Sequence, residues 1–133
     1  MYTFTSAEQI RENFLHVGKN IKKSQLLLGA WGKEYAVATI VIDDALPPAE
    51  VHEHFADVWI VVSGLAVFTL GGTMSSPTSN TDGEWTAESI LGGEQFTAHP
   101  GDVIDIPPSV PHQVDTRGGR AEFLILKVKA GNK

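Results

Sequence analysis

Residues 52–64 read HEHFADVWIVVSG, and residues 101–112 read GDVIDIPPSVPH. The first stretch holds His52 and His54, one residue apart on a short segment, Glu50 to His54, that reads as extended. Alternate residues of a strand share a face, so Glu50, His52 and His54 are expected to point the same way. Asp57 follows just before an apolar run, Val58 to Ser63, that closes at Gly64. Trp59 and Val61 share the phase of Asp57 and are expected to form a pocket or core wall. The second stretch is a strand from Asp102 to Ile106, a proline-bracketed turn through Pro107, Pro108 and Pro111, and then His112. Imidazole nitrogen and carboxylate oxygen suit Zn, Fe, Mn, Ni or Cu, and none of these ligands needs a thiol.

Outward from these stretches the text is strands and turns. Tyr35 to Ile42 (YAVATIVI) is rich in β-branched residues, as a buried strand is. Val58 to Ser63 and Leu65 to Leu70 read as a hairpin turning near Gly64. Further strands are expected at Ala87 to Leu91, Glu94 to Ala98, Val110 to Asp115 and Ala121 to Val128. Gly71 to Gly83 is rich in Gly, Ser and Thr, which predicts a mobile surface loop outside any metal shell. One helix is expected, over about residues 6–17, capped by Thr5 or Ser6 with Glu8 or Gln9 as capping-box partner. Ile10, Phe14 and Val17 lie on its apolar face, and Gly18 stops it. Regularly spaced short strands divided by Gly and Pro predict one all-β domain over 1–133, an antiparallel sandwich or barrel from about residue 25 to 129.

Composition narrows the function classes. The chain has 133 residues, 10 Lys and Arg against 16 Asp and Glu, a net charge of −6, and no cysteine. An acidic chain without a basic stripe argues against nucleic acid as partner. Lack of cysteine excludes disulfide scaffolds, thiolate metal sites and cysteine nucleophiles. No apolar stretch reaches membrane-span length, and Met1 to Ile10 does not read as a signal peptide, so a cytoplasmic protein is expected.

The two quoted stretches resemble the two motifs of the cupin superfamily. The first motif is two histidines separated by one residue, a carboxylate, six residues and a glycine, matched by His52, His54, Asp57 and Gly64. The second is glycine, five residues, proline, a turn and a third histidine, matched by Gly101, Pro107 and His112. The likeness spans about Tyr35 to Val128, and SILGG at 89–93 is similar to small bacterial single-domain cupins. It implies an all-β jelly-roll barrel with His52, His54, Asp57 and His112 converging on one divalent transition metal. It also implies a homodimer and a small-molecule substrate or ligand.

Three departures stand against the family pattern. The acid is Asp57 where Glu is usual, and its spacing from His54 is one residue short. Ser109 stands for the turn glycine, and Thr116 for a trailing asparagine. Asp57 is therefore either a ligand or a partner that orients a ligand. His16 and His99 have no motif support and are expected in solvent. Three functions fit this reading. One is an Fe-type dioxygenase, which the reading favours. Another is a metal-assisted isomerase, epimerase or lyase, with Glu50 as the candidate acid or base. The third is a non-catalytic binding module. Three histidine ligands, each with a pKa near about 6.5, are expected to make metal binding fall steeply below that pH.

Overall fold

The computed structural model describes residues 1–131. Two antiparallel sheets dominate it. One is five-stranded, in the order β1 (Ile21–Gly29), β2 (Tyr35–Asp43), β13 (Arg120–Lys129), β4 (Phe55–Gly64) and β11 (Val103–Ile106). The other is six-stranded, in the order β10 (Glu94–Ala98), β5 (Ala66–Leu70), β12 (His112–Asp115), β3 (Ala49–His52), β8 (Glu84–Ala87) and β7 (Thr78–Thr81). A two-stranded piece joins β6 (Thr73–Met74) to β9 (Ile90–Leu91). Apart from β1–β2 and β7–β8, neighbours in both large sheets are far apart in sequence, as in a jelly roll whose strands alternate between sheets.

Period-two alternation in the strands builds the core. On β4, Trp59 and Val61 are buried with Asp57 in the same phase; on β13, Phe123 and Ile125 meet them. Trp59, Phe68 and Phe123 pack edge to face, with ring centroids 5.1–6.1 Å apart. Such offset contacts are favoured by the ring quadrupoles. The same alternation carries Lys127 onto the inward side of β13, where it pairs across the sheet with Asp57.

Four expected elements differ in the structure, one of them the strand expected over Ala87 to Leu91, which is split between the end of β8 and β9. The helix α1 runs only Ala7–Asn13, with Ser6 as its cap. It ends because Phe14 turns in to bury its ring and His16 adopts φ 57°, outside the helical region. Gly64 is not a hairpin turn: β4 and β5 lie in different sheets, and Gly64 is the corner between them. Its φ is +78°, and a Cβ there would run into the Arg120 carbonyl, so only glycine fits. Gly71 to Gly83 is not an open loop. It contains β6 and β7, and Met74 is buried against Ala49 and Ala87.

Candidate metal centre

The strand β3 ends at His52, and the chain bends through Glu53 and His54 before β4 begins. Alternation on β3 therefore runs backward from His52, and it pairs His52 with Glu50 rather than with His54. Opposite Glu50 on β12 stands His112. Glu50, His52 and His112 each offer one ligand atom, and these atoms lie within 4.8 Å of one another. His54 is placed elsewhere. Its side chain is 54% exposed and its Nε2 lies 3.3 Å from Asp82. The chain direction change after a four-residue strand separates the two histidines that the spacing joined.

Polar contacts orient both rings. His112 Nδ1 donates to the Val110 carbonyl at 3.0 Å. A carbonyl only accepts, so the neutral ring presents a bare Nε2, and that buried atom has no hydrogen-bond partner. It faces Asp57 Oδ2 at 3.7 Å and Glu50 Oε2 at 4.0 Å. Burial lowers the His112 pKa, which keeps the ring neutral. His52 Nδ1 lies 2.6 Å from Glu84 Oε1, the carboxylate–histidine contact that turns the other nitrogen toward a metal. His52 Nε2 is 3.2 Å from Glu50 Oε2 and 3.3 Å from Asp57 Oδ2. Ser109 N donates to the His52 carbonyl at 2.9 Å, and Ser109 takes φ 68° where the cupin pattern has glycine. The second-motif turn thus holds the first-motif histidine.

Each carboxylate is tied to a lysine. Asp57 is 1% exposed and takes Lys127 Nζ on Oδ1 at 2.8 Å, leaving Oδ2 beside both imidazoles. Oδ2 is thus the oxygen that could serve either role the sequence leaves open for Asp57, while Oδ1 is held by Lys127. Glu50 Oε1 takes Lys22 Nζ at 3.3 Å. Burial works to raise both carboxyl pKa values, but His52 and the lysines outweigh it and hold both below the ordinary range. Burial likewise opposes charge on His52, but contacts with Asp57 and Glu50 lift it to about 9. In the metal-free protein one proton on His52 Nε2 therefore answers the carboxylates. A divalent cation at the same point would replace that proton and also supply the missing partner of His112 Nε2. By this test the residues fit a metal ion.

A cavity of about 280 Å³ opens beside the cluster, walled by Trp59, Ile40 and Ile125. Trp59 is where its phase predicts; Val61 is core and does not line this space. On another side of Glu50 and His52, Thr78, Asn80 and Thr81 line a second cavity of about 220 Å³. Part of the 71–83 segment therefore borders the site, although it supplies no ligand to the cluster. A larger groove, about 470 Å³, lies between the N-terminal segment and β1 and is lined by no titratable side chain. No sequence motif points to Glu84, Lys22 or Lys127. Lys127 did leave a signal there, as a charged residue in the inward phase of Phe123 and Ile125. His16 and His99 are exposed, as expected.

No family model and no curated protein matches the chain. Solved structures do. A cupin superfamily protein from Desulfitobacterium hafniense is 14% identical with a TM-score of 0.60, covering 87% of this chain and 84% of its own. A Cupin 2 conserved barrel domain protein from Salinispora arenicola is 19% identical with a TM-score of 0.54, over 84% and 79%. The cupin domain of Schizosaccharomyces pombe Cnp3 is 12% identical with a TM-score of 0.61, over 86% and 66%. The chain has the cupin fold, an all-β jelly-roll barrel with one short helix.

Proposed function

We propose that this cupin-fold protein binds one divalent transition-metal ion through Glu50, His52 and His112, with Asp57 Oδ2 beside it, and uses it with dioxygen on a small organic substrate. The observation that carries the reading is the buried, partnerless Nε2 of His112, facing the carboxylates of a two-histidine, one-carboxylate set. That donor set with open positions is the usual one for non-haem Fe(II) oxygenases. The bound ion would supply a Lewis-acidic, redox-capable centre. The protein's own groups do the rest. Glu84 fixes the His52 ring, Lys22 and Lys127 keep Glu50 and Asp57 ionised, and Trp59, Ile40 and Ile125 give the cavity an apolar side. Fe(II) loaded without air and then exposed to O₂ with candidate small substrates should consume O₂ in step with substrate loss. A loaded protein that takes up no O₂ with any of them refutes the oxygenase reading.

A metal-assisted isomerase, epimerase or lyase is the second reading. The Lys127–Asp57 pair favours it, because an ammonium group beside the ion can hand a proton to a polarised substrate. Turnover that is unchanged without O₂ selects it. Binding with no turnover under either atmosphere selects a non-catalytic module.

The proposed assembly is a homodimer through the outer face of the five-stranded sheet. Val58, Ile60, Leu124 and Leu126 are half-buried on that face, and Val103 and Val128 stand exposed. This run of apolar residues is the ground for placing the interface on that face. A light-scattering mass of one chain at working concentration refutes it.

A further inference from the structure

We propose that the cavity beside the cluster accepts a small organic acid, whose carboxylate is taken by Lys22 and Lys127 next to the ion and whose apolar part lies against Trp31. This rests on the metal reading above and names the substrate class for it.

Size comes first. At about 30 Å³ per water-sized atom, 280 Å³ holds roughly nine non-hydrogen atoms. Charge comes next. Lys22 reaches in from β1, with Nζ 5.9 Å from the Trp59 ring centroid, and Lys127 from β13, with Nζ 5.8 Å from the Phe55 centroid. Both side chains are mostly buried, at 26% and 15% exposure. Each ammonium group has three donors, and one carboxylate contact each leaves donors free for a ligand. Lining the cavity are the carboxylates of Glu50, Asp57 and Glu84 against these two lysines. With both imidazoles neutral as ligands, a divalent ion leaves one positive charge unmatched, and a monoanion matches it. A low-dielectric wall makes that mismatch costly for a neutral ligand.

Donor balance points the same way. Lys22 and Lys127 bring their ammonium donors to this cavity. Desolvated donors left unpaired are costly, so an oxygen-rich ligand is favoured. The three carboxylates, by contrast, are committed to His52 and the lysines. At the rim, Trp31 is 46% exposed and offers an apolar plane.

The test is titration calorimetry of Zn(II)-loaded protein with lactate, pyruvate and benzoate, each beside its uncharged amide. At least one acid should bind tenfold or more tightly than its amide. Lys22→Met should erase that preference while elemental analysis still finds one ion per chain. Acids and amides binding alike, or a preference that survives Lys22→Met, overturns the proposal. Loss of the ion in Lys22→Met assigns Lys22 to Glu50 alone and overturns it too. A native chain that takes up no Zn(II) overturns the metal reading and this one with it, whereas a loaded chain indifferent to charge overturns this one only.

Discussion

Metal binding should release one proton per ion near neutral pH, and that proton comes from His52. In the metal-free protein burial disfavours a charged ring, yet contacts with Asp57 and Glu50 raise His52 from 6.5 to about 9. His112 contributes none, because burial has lowered its pKa and its Nδ1 is committed to Val110. At pH 7 the gap on His52 is about two units, so roughly one metal-free chain in a hundred has the ring neutral and ready to ligate. Affinity for Zn(II) should therefore rise about tenfold per pH unit from pH 6.5 to 8.5, a slope of one proton. This replaces the steep three-proton loss below pH 6.5 that three histidine ligands would give. Calorimetry in two buffers of different ionisation enthalpy counts the protons directly. A flat affinity over this range would mean that the carboxylates do not hold a proton on His52. A slope of two would mean that His112 is also charged before metal arrives. Either result refutes the reasoning.

Stability of the metal-free chain should follow the same groups. The raised His52 contributes stability fully present below about pH 6.5 and lost as pH rises through about 9, so the melting temperature should fall over that window. The lowered Glu50 and Asp57 contribute above their ordinary values and lose that contribution on acidification, so melting should also fall below about pH 4. Among ligand variants, His52→Ala and His112→Ala should abolish ion uptake in elemental analysis, while His54→Ala should leave it within about twofold, since that ring stands outside the cluster. Asp57→Asn should lower metal affinity by about 10- to 100-fold. Lys127→Met leaves buried Asp57 with His52 as its remaining cationic partner and should cost about 1–3 kcal/mol in denaturant unfolding of the metal-free chain. Phe123→Ala opens the aromatic core and should cost about 3–5 kcal/mol without changing metal stoichiometry.

The barrel was legible because its rules are local. Period-two burial on β4 and β13, β-branched β2, and turns marked by Gly and Pro all act within a few residues. The errors lie where a distant contact decides. Nothing near Gly64 tells a hairpin from a corner; the Arg120 carbonyl, far along the chain, does. The polar 71–83 segment reads as loop by composition, yet Ile90 and Leu91 offer β6 a partner, and β8 offers one to β7. Backbone hydrogen bonds gained across strands override a weak local preference.

For the site, the family resemblance implied that His52, His112 and Asp57 converge, but neither it nor the spacing could place the bend after β3. Two histidines one residue apart share a face only while the strand continues, and β3 stops at the first of them. The same alternation, read toward the N-terminus, reaches Glu50, which stood as an acid or base candidate rather than a ligand. That exchange changes the chemistry. Three neutral imidazoles leave a divalent ion with its full charge, whereas Glu50 neutralises part of it and brings Lys22 into the site as its counter-ion. Asp57 does the same for Lys127. In the proposed centre each buried lysine is the counter-charge of a carboxylate, Lys22 of Glu50 and Lys127 of Asp57. This pairing also yields a discriminating expectation. Glu50→Gln removes a ligand charge and frees Lys22 together, so Zn(II) affinity should fall tenfold or more. The proton released per ion should fall too, since His52 loses one of the two carboxylates that raise it. If Glu50→Gln binds Zn(II) as the native chain does, with the same proton count, Glu50 is no ligand and the search for the third donor returns to Asp57.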